Sequence, residues 1–92
     1  MQEMAIYLAD SVIPGVTIDQ LTTVLQAVVE TCQRFTARGE HVRYIRSTYI
    51  PGESRWLCLF EAPDAAAVEE VNEVAKLPHT RVVEAIDLQP EP

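Results

Sequence analysis

A chain of 92 residues makes one domain with a modest core, and 48% hydrophobic residues with mixed charges exclude a disordered polymer. A net charge of −7 and a pI near 4.6 set the surface against phosphate backbones and anionic lipid, so neither nucleic acid nor membrane is expected as a partner. No apolar run is long enough to span a bilayer and no targeting segment stands out, which makes the cytoplasm the default location.

Met4 to Asp10 reads as a first strand that is apolar on both parities: Met4, Ile6 and Leu8 on one, Ala5, Tyr7 and Ala9 on the other. A loop with Pro14 and Gly15 leads to a helix. Thr17 is placed to cap it, with Gln20 completing a capping box and Val16 and Leu21 a hydrophobic staple. Ile18, Leu21, Leu25, Val28, Cys32 and Phe35 recur at intervals of three and four as one apolar stripe, and Gly39 is the natural stop.

His41 to Tyr49 comes next as a strand rich in β-branched and aromatic residues, with Arg43 and Arg46 breaking its pattern in the manner of an edge strand. Pro51 and Gly52 supply the chemistry of a tight turn, proline fixing φ and glycine tolerating positive φ. The next strand, Arg55 to Glu61, carries Trp56, Cys58 and Phe60 on one face and Leu57 and Leu59 on the other. Such a run needs cover from both sides. Asp64 caps a second helix to about Lys76, with Val68, Val71 and Ala75 inward and three glutamates in water. Pro78 ends that helix, and Arg81 to Leu88 is the last strand. The domain is thus taken as residues 1–88, with 89–92 a frayed tail.

The order βαββαβ predicts an α+β, ferredoxin-like sandwich: a four-stranded antiparallel sheet of order 4-1-3-2 with two helices on one face. The first and third strands are then central, and they are the two that read as apolar on both faces. One sheet face is left bare. Each aliphatic side chain left there in water forgoes roughly 1.5–3 kcal/mol. The simplest cover is a second copy, so a homodimer through the open sheet face is expected, the alternative being a monomer whose own tail or loops cover that face. Which parity of each strand faces the helices stays open.

The chain from Val42 to Val71, with Arg46-Ser47, the run Cys58-x-Phe60-Glu61-Ala62-Pro63-Asp64, Val68 and Pro78, resembles a family of small bacterial proteins catalogued as a domain of unknown function. Tyr7-Leu8 and Pro14-Gly15 also fit its pattern. The resemblance implies a ferredoxin-like dimer, and the family includes a nickel-binding protein, so nickel or another divalent metal is the implied cofactor. In this chain the acid following the first strand is Asp10, and Asn72 stands where the family often carries a histidine inside the second helix.

Nickel takes imidazole nitrogen with carboxylate or water. Only His41 and His79 are available, at opposite corners of the sheet in this topology, so they cannot share one ion within a subunit. Asp10 with His79 is the most favourable local pair, and His41 is the other metal candidate. Exposed loop histidines are the plain alternative.

Cys58 and Cys32 read as buried free thiols that act as small hydrophobes. Arg46 and Ser47 are candidates for an anion or an interface. Tyr7, Trp56, Cys58 and Phe60 are either core or the wall of a pocket between sheet and helices. No catalytic motif stands out. A divalent-metal-binding, sensing or interaction module is therefore expected, the alternative being a cofactor-independent dimeric monooxygenase built around that pocket. RWLCLFEA lacks the glycines of an aromatic RNA-binding strand, and no Cys-x-x-Cys follows the first strand.

Overall fold

A computed structural model of the protein describes residues 3–78 and 81–90. Its elements run β1 (Ala5–Val12), α1 (Ile18–Ala37), β2 (Arg43–Ile50), β3 (Arg55–Ala62), α2 (Ala65–Val74) and β4 (Arg81–Ala85). The four strands form one antiparallel sheet in the order β2-β3-β1-β4, the expected order read from the other edge. Strands β1 and β3 occupy its middle.

The ends of α1 are set by the signals in its sequence. Thr17 Oγ1 accepts from the Gln20 N–H at 3.1 Å, and Gln20 Oε1 accepts from the Thr17 N–H at 2.9 Å. At the other end Gly39 has φ +95°, and Glu40 N–H donates to the Phe35 carbonyl while Gly39 N–H donates to Thr36. Those two bonds are a Schellman closure, which needs the left-handed residue that glycine supplies. Ile18 departs from the predicted stripe: it is 72% exposed in the first turn.

The parity question resolves in favour of Trp56, Cys58, Phe60 and Ala62, which are buried, as are Tyr7, Ala9 and Ser11 opposite them. Together with Val28, Cys32 and Phe35 of α1 and Val68 and Val71 of α2 they make the core. On the other sheet face Ile6, Leu8, Leu57, Leu59 and Val83 are only half-buried.

The tight turn after β2 is a 3-10 turn over Pro51–Glu53, and its left-handed residue is Ser54 (φ 54°). Two local readings are corrected. β1 runs on to Val12, so Asp10 lies inside the strand, paired with Leu57 and Arg81. β4 ends at Ala85, and residues 86–88 are not strand: Asp87 turns inward while Ile86 and Leu88 are 82% and 83% exposed.

The pattern break in β2 has a geometric cause. A register shift between Tyr44 and Arg46 inserts Ile45 as an extra residue. Arg43 then opposes Glu61 and Arg46 opposes Leu59, so two arginines three apart in sequence share the open face.

Candidate functional site

Two charged clusters mark the open face. The first is at one end of the two central strands. Asp10, 8% exposed at its side chain, accepts from Arg55 Nε at 3.2 Å, receives a second bond from Arg55 Nη2, and has Arg81 Nε 3.9 Å away. Arg55 also reaches Glu53 at 3.3 Å. The two acids raise the affinity of the Arg55 guanidinium for its proton, the bonds to Asp10 being the larger cause. The carboxylate proposed for metal is therefore held by guanidinium groups. Its expected companion, His79, lies outside the described residues.

The second cluster is at the far end of the sheet. His41 precedes β2, and its Nε2 is buried with no hydrogen-bond partner, 3.6 Å from Glu61 Oε1. That gap is too long for a hydrogen bond. Arg43 Nε donates to the same carboxylate at 3.3 Å. This bond, with smaller help from His41, holds the Glu61 carboxyl below the usual carboxylate range, so it stays ionised. An imidazole nitrogen beside a carboxylate oxygen is a donor set that suits nickel. Among the described residues no third histidine, cysteine or acid joins them. Two donors alone do not make a metal centre among the described residues. Glu61 does not stand out as a donor in the sequence because it reads as strand end; the antiparallel register, which opposes it to Arg43, is what brings it near His41.

Arg46 is ion-paired with Asp87, so the anion it holds is one from its own chain. Ser47 faces the other way: it accepts from the Tyr44 hydroxyl at 2.7 Å and lies against Cys58. Burial pushes the Cys58 thiol up to about 12 and the Cys32 thiol up to about 11, which leaves both protonated and poorly nucleophilic at neutral pH.

Tyr7, Trp56, Cys58 and Phe60 are 9%, 3%, 1% and 0% exposed and pack into the core cluster, with the Tyr44 ring edge-on to Phe60 at 5.8 Å. A groove lies elsewhere, between the C-terminal half of α1 and β2. It has a volume of about 500 Å³ and is lined by Val29, Cys32, Ala37, His41, Val42 and Arg43, among others. No described helix is long and apolar enough to cross a membrane.

Against known proteins, residues 7–85 match the model of a family described as nickel responsive protein SCO4226-like. A solved structure that matches is the crystal structure of SCO4226 from Streptomyces coelicolor A3(2), with 26% identity and a TM-score of 0.77, covering 94% of this chain and 100% of that one. No curated protein matches.

Proposed function

This chain belongs to the nickel-responsive SCO4226-like family, and from that membership we propose that it is a small ferredoxin-like homodimer that takes up a divalent metal, nickel first, as a sensing or interaction module. The observation that carries the reading is the His41–Glu61 pair. A buried imidazole nitrogen without a partner stands 3.6 Å from an ionised carboxylate, in a chain whose family is described by its response to nickel. A polar atom shielded from water and unpartnered, on a side chain otherwise 43% exposed, is costly, and a bound cation would relieve it. His41 would supply nitrogen and Glu61 oxygen. Water or groups from a second subunit would complete the shell. Arg43 favours the ionised carboxylate but also competes for it, which points to loose, responsive binding in place of a permanent structural ion. Asp10 with His79 is the second candidate, and there Arg55 is the competitor.

The dimer rests on a separate observation. Ile6, Leu8, Leu57, Leu59 and Val83 remain half-buried on the face away from the core, with Ile86 and Leu88 pointing out beside them. Burying those side chains against a second copy is favourable by area alone. The oxygenase alternative draws no support from Tyr7, Trp56 and Phe60, which fill the core.

Calorimetric titration with Ni²⁺ tests the metal reading. Wild type is expected to release heat, His41→Ala to lose most of it, and His79→Ala to lose the remainder if Asp10 and His79 form a second site. No heat above dilution from the wild type would remove nickel from the account.

A further inference from the structure

The segment after β4 is at odds with its surroundings. Ile86 and Leu88 are the most exposed large aliphatic side chains among the described residues, while Asp87 between them turns in to Arg46. That is the alternation of an extended segment, in which residues two apart share a side. Leaving two such side chains in water is unfavourable. The groove between α1 and β2 offers the complementary surface. Val29, Cys32, Ala37 and Val42 line it, and its polar wall groups are satisfied internally: Thr36 Oγ1 donates to the Val42 carbonyl at 3.1 Å and accepts from the Val42 N–H at 3.2 Å. Such a trough, of about 500 Å³, asks for aliphatic side chains and no head group. Its lining comes from α1, the loop after it and the start of β2, at the sheet edge where β2 pairs with β3 alone.

We propose that the occupant is the Ile86–Pro90 segment of a second copy, exchanged between the two subunits of the sheet-to-sheet dimer, on which this inference rests. Strand order makes the reach short. Arg43, Glu61, Ile6 and Ala85 lie in one row across the sheet, from the β2 edge to the β4 edge. A two-fold axis along the strands, between facing sheets, reverses that row, so the partner's Ala85 stands opposite Arg43. Packed sheets are roughly 10 Å apart, and five extended residues span up to about 17 Å. The partner's segment can therefore round the β2 edge, with Leu88 in the groove, Ile86 at its rim and Asp87 on the open-face side beside Arg46. The ion pair made within one chain is thus remade between chains, and two exposed aliphatic side chains gain cover. In a lone subunit the segment lies across the face that the second copy must occupy, so exchange also clears the contact.

Complementary charge reversals test the exchange, with EDTA present throughout to keep the outcome independent of nickel. Arg46→Asp and Asp87→Arg each set like charges together. By sedimentation each is expected to weaken dimerisation about tenfold, two symmetry-related pairs being lost. An equimolar mixture of the two variants is expected to recover wild-type association. Within the mixed dimer every cross-chain pair is again opposite in charge, whereas a pair within one chain stays repulsive. In a wild-type mixture of ¹³C-labelled and unlabelled chains, methyl contacts from Leu88 to Val29, Ala37 and Val42 are expected to pass an isotope filter that admits only contacts between chains. A wild type that stays monomeric at all concentrations would remove the sheet-to-sheet dimer and the exchange with it. A dimer in which Leu88 meets the groove only within its own chain, or not at all, would overturn the exchange and leave the dimer standing. So would a mixture that associates no more tightly than either variant alone.

Discussion

Arg46 on one edge strand is ion-paired with Asp87, which lies just past the strand at the opposite edge. Since Arg46 shares the open face with Leu59, this contact can form only if the chain after Ala85 turns back beneath the two central strands. The face that lacks helices is therefore partly covered by the protein's own C-terminal segment. The ion pair is half in solvent, with Arg46 51% exposed at its side chain, so its removal is expected to cost under about 1 kcal/mol. Asp87→Asn should leave global stability nearly as it was, while hydrogen exchange and proteolysis rise locally at residues 86–90. A large loss of stability would mean that the segment is part of the cooperative core.

Ile86 and Leu88 lie on either side of that anchor and point outward. If the second copy sits on this face, they are in the contact. Leu88→Asp is then expected to shift sedimentation from dimer toward monomer, with unchanged secondary structure. An unaltered dimer would place the interface elsewhere.

Asp10 is the most buried acid with a salt bridge, and Arg55 is its principal partner. Asp10→Asn leaves the guanidinium with only the exposed Glu53 as counter-charge and is expected to cost about 1–3 kcal/mol in urea unfolding. If the nickel site is the His41–Glu61 pair, this variant should still take up nickel. Loss of nickel with little loss of stability would instead assign Asp10 to the metal.

The two thiols carry a pH prediction. Each holds its proton more tightly folded than unfolded, Cys32 to about 11 and Cys58 to about 12, against an ordinary value of 9.0. Their contribution is thus intact below about pH 9 and is lost progressively as pH rises toward the folded values, because only the unfolded chain ionises there. Thiol reagents at pH 8 should label the protein in urea and not in buffer. Fast labelling of the native protein at Cys58 would show a reactive site that the burial does not allow. Glu61 works in the opposite sense: its depressed carboxyl favours folding at neutral pH and that contribution fades as acid protonates it.

Asn72 is fully buried, and neither end of its amide finds a hydrogen bond. Replacing it by leucine removes two orphaned groups from the core, so Asn72→Leu is expected to raise stability by about 1 kcal/mol in place of the usual loss on core substitution. A marked destabilisation would point to a water or ligand held there.

Legibility in the sequence depends on which forces are local. The capping box at Thr17 and the glycine closure at Gly39 are set by residues within one turn, and both are legible. So is the central placement of β1 and β3, because strands covered on two sides have a compositional signature. The C-terminal segment reads as strand to Leu88 because alternation continues past Ala85; the departure depends on a partner 41 residues away, Arg46. The same holds for the bulge at Ile45, which a linear pattern registers only as a break. His41 stands out for its side chain alone. Its neighbour Glu61 is supplied by strand register, and the groove beside it by the way α1 lies over an edge strand.

The most direct test of the metal account is nickel K-edge absorption of the loaded, dialysed protein. With both cysteines buried and protonated, the expected spectrum is a shell of nitrogen and oxygen with imidazole scattering that disappears in His41→Ala. Sulfur in the first shell, or nickel that leaves with the dialysis buffer, would contradict it.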